Sequence, residues 1–185
     1  MPQHYRHVML AVDPSEASRH AAGWAADHGV ITAACKVSLV SVVPSPPLAP
    51  MAPGIAGMGG LTSTAGVAEY EKEWEATRKV HGTAVSDVYT DLLTRKCVTP
   101  DSCSRVLLDG DGGGGGAVAD PLVSYAKAKQ VDHVVVGSRG LSALKRGLYS
   151  IIGLGSVSDY IVRHAPCPVT VVPLVDHAAS VPTPD

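Results

Sequence analysis

The sequence predicts an α/β protein, a doubly wound sheet of five parallel strands with helices on both faces. Three observations predict it. Runs such as Val8-Met9-Leu10-Ala11-Val12 and Val134-Val135-Val136 are apolar without alternation, the pattern of strands buried on both faces. Segments with apolar residues at helical spacing separate the runs, giving the order β-α-β-α-β-α-β-α-β, which defines a parallel sheet with right-handed crossovers. The first and fourth runs end at Asp13 and Gly137. Ligands of such sheets bind outside the carboxyl ends of the strands where strand order reverses, and strands one and four are expected to flank that point.

The elements follow in order. The first strand, 8–12, ends at Asp13. Ser15 is the expected N-cap of a helix with Glu16 in its first turn. Ala17, Ala21, Trp24, Ala25 and His28 share its inner face, and Gly29 stops it. The second strand, 36–43, runs to Pro44. Residues 44–66 carry no charge and no period, so a flexible loop is expected there, a lid over the edge that carries Asp13 or a passive insertion. A long helix follows from Glu69 to about Thr94, with Tyr70, Trp74, Thr77, Ala84, Val85, Val88 and Leu92 on one face. Its His81 is expected at the surface rather than as a ligand.

Residues 105–108 form a short third strand. Residues 109–116, with five consecutive glycines, read as a flexible loop. Asp120 is the expected N-cap of a helix that has Pro121 at its first position, turns Leu122, Val123 and Ala126 inward and ends near Lys129. The fourth strand is 132–136. Ser156 opens a last helix with Val157, Tyr160, Ile161 and His164 on one face; Pro166 and Pro168 end it before the fifth strand, 169–172. Residues 1–173 are read as one domain and 174–185 as a loose tail.

Composition narrows the function. The 185 residues carry a formal net charge of −2, and no cluster of Lys and Arg offers the footprint of a nucleic-acid groove. The densest basic group, Arg139, Lys145 and Arg146, suits a solvated loop or a phosphate-facing one. The core must be aliphatic, because there is no Phe and there are 2 Trp. Cys35, Cys97, Cys103 and Cys167 lack zinc or CxxC spacing and read as plain thiols. No apolar run reaches the roughly 20 residues of a membrane span, and the N-terminus leads straight into a strand. A cytoplasmic protein without membrane partners is the expectation.

The stretch from Val131 to Tyr160 combines a buried strand, glycines at 137 and 140, and a Gly155-Ser156 helix start. A turn that allows close backbone approach and a helix N-terminus with open N–H groups make an anion site, for which the phosphate chain of a nucleotide is the first candidate. Asp13 fits both a ribose-hydroxyl acceptor and a turn former. Walker A, His-Glu-x-x-His and Gly-x-Ser-x-Gly patterns are absent.

Ala11-Val12-Asp13-x-Ser15-Glu16-x-Ser18, with Trp24-Ala25 downstream, resembles the opening of the universal stress protein family. Val134-Val135-Val136-Gly137-Ser138-Arg139-Gly140-Leu141-Ser142, and the run from Gly155-Ser156-Val157-Ser158 to Cys167-Pro168-Val169, are similar to its C-terminal motif. The resemblance implies a Rossmann-like sheet in the order 3-2-1-4-5, homodimers through edge strand five (here Val169 and Val171), and ATP binding in many members. It implies that Asp13 meets the ribose and that Val42 or Val43 lies by adenine. Gly137, Gly140, Gly155 and Ser156 would hold the phosphates, with Val136, Arg139 and Val157 beside them and Mg as the divalent ion.

One departure stands out. The family's ATP pattern is Gly-x2-Gly-x9-Gly-Ser/Thr, whereas fourteen residues follow Gly140 before Gly155, five more than the pattern; Ser150 stands where the glycine is due. The extra residues, between Gly147 and Leu154, leave the cradle intact if they bulge outward and displace it if they fill the cleft. Three readings remain: an ATP-binding regulatory or stress-response protein with at most slow hydrolysis, an interaction module of the same fold without nucleotide, and, behind both, an adenylating-type enzyme.

Overall fold

The structure, a computed structural model, describes residues 5–45, 64–110, 118–138 and 155–174. Nine elements alternate along them: β1 (Arg6–Ala11), α1 (Glu16–Asp27), β2 (Cys35–Val43), α2 (Thr64–Thr94), β3 (Cys103–Asp109), α3 (Ala119–Ala128), β4 (His133–Gly137), α4 (Ser156–His164) and β5 (Val169–Val172). The strands form one sheet in the order β3-β2-β1-β4-β5, and every pairing is parallel. The expected fold class and strand order are those observed. The family-implied edge strand is β5, which pairs with β4 alone.

Alternation along each strand sorts side chains between two layers. From β1, Val8 and Leu10, with Val12 just after it, join the layer of α1 and α2, while Met9 and Ala11 face α3 and α4. In β2, Val37 and Leu39 take the first layer, Val40 and Val42 the second. Leu10 pairs with Leu39 on one side and Val135 on the other, so the centre of the sheet has no solvent-facing side. That is why these strands read as unbroken apolar runs. Each fully buried Val, Leu or Met contributes about 1.5–3 kcal/mol of transfer free energy.

Polar groups in this interior are paired. His7, 6% exposed, sets Nε2 against Ser38 Oγ at 2.8 Å and Nδ1 against the Lys129 carbonyl at 3.2 Å. Tyr125 donates to the same Ser38 hydroxyl at 3.1 Å, and Ser104 Oγ lies 3.0 Å from it. Among the described residues no buried side-chain N or O lacks a partner. All four cysteines are free thiols, as expected, and burial pushes the Cys103 thiol up to about 11.

Ser15 caps α1: its extended backbone (φ −85°, ψ 157°) lets Oγ accept from the Ser18 N–H at 3.2 Å. Ala17, Ala21, Ala22 and Ala25 bring α1 close to the sheet. Gly29, at φ +69°, stops it in the left-handed conformation that glycine tolerates. His28 departs from expectation. It is exposed at the helix end and stacks on Trp24 with ring centroids 4.5 Å apart. His164 does the same on Tyr160 at 4.0 Å.

Other boundaries also need correction. Helix α2 starts at Thr64, not Glu69, and takes residues 64–66 from the expected loop. Extending an existing helix incurs no nucleation penalty, so a weakly helical start without a periodic face is still recruited. Strand β3 runs from Cys103 to Asp109, longer than its apolar middle, because its full length pairs with β2 at the sheet edge. Asp120 is not the cap of α3. Val118 is, without a side-chain bond, and Asp120 lies in the first turn, where its carboxylate suits the helix dipole and accepts from the Tyr160 hydroxyl. The glycine run at 112–116, the residues between Gly140 and Gly155, most of the 44–66 segment and the tail beyond 174 lie outside the described residues.

Gly137 is the last residue of β4, not the start of a turn. A Cβ there would lie 2.9 Å from the Ala17 carbonyl oxygen, so a glycine is what lets α1 rest on β4. Gly137→Ala is expected to destabilise the protein by about 1–3 kcal/mol, the usual cost of overpacking. Urea denaturation at pH 7.5 measures it; an unchanged midpoint would mean that the α1–β4 contact yields freely.

Candidate ligand site at the carboxyl edge of the sheet

A cavity of about 300 Å³ opens where the sheet order reverses between β1 and β4. Its walls are largely aliphatic: Val12, Val40, Val42, Leu122, Val136 and Val157. Its polar atoms come from Asp13, Ser15, Ser18, His81, Ser156 and Ser158 and from the backbone at the start of α4. Apolar walls with a few converging polar groups are the usual make-up of a small-molecule site, and this volume lies at the lower end of the roughly 300–1,000 Å³ such sites occupy.

Asp13 follows β1 and is fixed by the cap of α1. Its Oδ1 accepts from the Ser15 N–H at 3.0 Å and from the Ser15 hydroxyl, while its own N–H donates to Ser18 Oγ at 3.1 Å. Both sequence readings of this residue therefore meet in one place: it forms the turn, and it lines the cavity.

The opposite wall is the N-terminus of α4. Gly155 is the N-cap (φ −75°, ψ 160°) and brings no side-chain hydrogen bond to the first turn. The first intrahelical bond runs from the Asp159 N–H to the Gly155 carbonyl at 2.9 Å, so the N–H groups of residues 156–158 precede the helical ladder. The Gly155 N–H is tied to the Ser138 carbonyl at 2.7 Å, and Ser158 Oγ donates to the Gly155 carbonyl at 2.9 Å. These bonds hold the helix start against the end of β4, and a nine-residue helix aims the positive end of its dipole there.

Of the residues expected at the site, Asp13, Val42, Val136, Gly137, Gly155, Ser156 and Val157 line this one cavity. Val42 is thereby distinguished from Val43, which is fully buried and does not line it. Arg139 and Gly140 lie outside the described residues.

The residue that sequence reasoning misplaced is His81. Expected at the surface, it is 4% exposed and lines the cavity from α2. Its Nδ1 lies 2.8 Å from Ser41 Oγ, a hydroxyl with no exposure at all. The signal was present: position 81 lies four residues after Thr77 and four before Val85, on the stripe that turns inward. Burial pushes the His81 imidazole below the ordinary histidine range, and the Asp13 carboxylate works against that shift.

The fold and the cavity together define an open, doubly wound α/β domain with a ligand site at its topological switch point. The Universal stress protein family model matches residues 4–95 and 113–173, and the chain belongs to that family. It is 39% identical over 57 residues to universal stress protein MJ0531 of Methanocaldococcus jannaschii, covering 31% of each chain. It is 42% identical over 57 residues to universal stress protein YxiE of Bacillus subtilis, covering 31% of this chain and 35% of that one. The matched stretches thus span about a third of those curated relatives. Among solved structures, the universal stress protein UspA of Lactobacillus plantarum superposes with a TM-score of 0.63 at 18% identity, covering 91% of this chain and 97% of the other. No helix of the described residues is long and apolar enough to cross a membrane.

Three histidines tie stability to pH. His7, His81 and His133 are all held below the ordinary value of 6.5, chiefly by burial. The unfolded chain therefore takes up protons first, so this stability is complete well above pH 6.5 and is lost as the pH falls through the lower, folded values. The urea midpoint is expected to drop between pH 7.5 and pH 5. His81→Asn should flatten the slope; the same slope in both proteins would mean that His81 does not titrate with folding.

Proposed function

We propose that the protein is an ATP-binding member of its family, a regulatory or stress-response protein rather than an efficient catalyst. The observation that carries the reading is the meeting, across one cavity, of a strand-end carboxylate and a helix N-terminus without a side-chain cap. Asp13 would accept sugar hydroxyls. Val42 and its aliphatic neighbours would pack on the base. The backbone of Gly155, Ser156 and Val157, with Gly137 and Val136 below, would receive the phosphates. These donors fit a polyanion: they offer N–H groups and a hydroxyl at a positive dipole end.

A divalent ion would ride on the phosphates themselves, because the described residues hold no group of three or more His, Cys, Asp or Glu able to ligate a metal. Magnesium there would neutralise charge between phosphate oxygens. Hydrolysis is expected to be slow, since Asp13 is committed to its turn and the cavity wall is mainly aliphatic. Edge strand β5 supports a homodimer: it pairs with β4 alone, and Val169 and Val171 remain partly exposed. Val171→Lys is expected to shift a dimer to monomer in analytical ultracentrifugation; a wild-type monomer at high micromolar concentration would end the dimer reading.

Two charge variants test the site by calorimetric titration with ATP. Asp13→Asn keeps an acceptor for the Ser15 turn but removes the carboxylate, and should weaken ATP about tenfold, the worth of a hydrogen bond to a charged group. Ser156→Asp sets a negative charge in the first turn of α4, which favours the helix but repels phosphate. It should abolish ATP binding while leaving the thermal midpoint unchanged or higher. Wild-type protein that takes up no ATP, or a Ser156→Asp variant that binds as wild type does, would overturn the reading.

A further inference from the structure

We propose that His81 recognises the uncharged, nucleoside end of the ligand, its Nε2 forming a hydrogen bond to a sugar hydroxyl or a base nitrogen. The proposal rests on the nucleotide reading of the cavity and extends it to a helix that the family-implied residue set does not include.

Packing alone does not ask for histidine at this position. Its neighbours on the inward stripe of α2 are Ala84, Val85 and Val88, all buried, and an aliphatic residue would continue that stripe. An imidazole there must have both nitrogens satisfied or hydrated, because an orphaned polar group in the interior costs about 1–3 kcal/mol. One nitrogen is provided for within the fold: Nδ1 lies 2.8 Å from Ser41 Oγ. Ser41 is itself fully buried near the carboxyl end of β2, so the pair fixes the rotation of the ring. Among the described residues Nε2 has no protein partner. Among the described residues no fully buried side-chain nitrogen or oxygen lacks one, so Nε2 keeps some exposure, and the cavity is what His81 lines.

The position of the ring selects the part of the ligand it meets. His81 is anchored to β2, Asp13 follows β1, and the α4 N-terminus stands beyond β4. In the sheet order β2-β1-β4, the imidazole and the phosphate cradle are separated by two strand spacings, roughly 10 Å, with Asp13 between them. A nucleotide lying across the three strand ends with its phosphates on α4 puts its sugar at Asp13 and its base towards β2. Among the described residues the wall at that end is otherwise Val40, Val42 and Pro44, so of these His81 is the side chain able to form a directional bond.

The charge state agrees. Burial pushes the ring below the ordinary histidine range, and among the described residues Asp13 is the charged group acting on it, so at pH 7.5 Nε2 meets the ligand as a neutral donor or acceptor rather than as a cation seeking phosphate.

The test is calorimetric titration at pH 7.5 of wild type and His81→Asn with three probes: ATP, adenosine and inorganic tripolyphosphate. Asparagine places an amide where Nδ1 stood, so the bond to Ser41 is kept while Nε2 is deleted. The variant is expected to bind ATP and adenosine about tenfold more weakly and tripolyphosphate as wild type does, with a thermal midpoint close to that of wild type. Equal ATP affinity in the two proteins would overturn the role of His81 while leaving the nucleotide reading standing. A loss for tripolyphosphate as large as that for ATP would overturn its placement at the nucleoside end. Wild type that binds none of the three removes the nucleotide reading and this one with it. Should His81→Asn fail to fold, the double variant His81→Phe with Ser41→Ala, which removes both members of the buried pair together, carries the same expectations.

Discussion

Helix α1 rests on β4 at a point where no side chain fits between them. The Ala17 carbonyl occupies the space that a Cβ on Gly137 would need, so the first turn of α1 presses directly on the end of the strand. Much of the site depends on that seating. The same turn carries the Ser15 cap, which orients the Asp13 carboxylate, and Ser18, which holds the Asp13 backbone. On the far side of the contact, Ser138 follows Gly137 and its carbonyl anchors the start of α4. One missing methyl group thus sets the distance between the two polar walls of the cavity.

The fold was largely legible in the sequence because double burial leaves a plain mark: β1, β2 and β4 have no solvent side and therefore no alternation. The cavity-lining residues were legible where a strand end or a helix start carries them, as with Asp13, Gly155 and Ser156. The rest depends on partners distant in the chain. His81 lies inward because Ser41, 40 residues earlier, meets its imidazole. Val42 and Val43 look alike at the end of an apolar run, and only the parity of β2 in the sheet tells which one faces the cavity. Asp120 reads as a cap from its neighbours, yet the fully buried Ala119 draws the helix start forward and Tyr160 takes the carboxylate. Gly137 was read as freedom for a ligand; it lines the cavity and also gives room for a helix.

The sheet also divides its polar residues by edge. At the amino ends of the strands His7, Ser38, Ser104 and Tyr125 satisfy one another in a closed network. At the carboxyl ends the polar groups are bonded on one side and face a cavity on the other. In a parallel α/β fold every crossover helix starts near the carboxyl edge, so the helix dipoles add there, and an anion is favoured at that edge over the other. The amino edge bears the tightly satisfied network, and the carboxyl edge carries the polar groups that line the cavity.

Ser38 and Ser41 have a consequence for how β2 finds its place. They are three residues apart and so point to opposite faces: Ser38 towards His7 and Tyr125, Ser41 towards His81. Apart from Cys35, the remaining interior of this strand is valine and leucine on both faces, and hydrophobicity alone would accept a slip of one residue. Such a slip would turn both hydroxyls into apolar layers and leave two imidazoles without their mates, at a cost of several unsatisfied groups. The two serines act as a key cut on both edges: they add little to the native state and much to the penalty of every misaligned one.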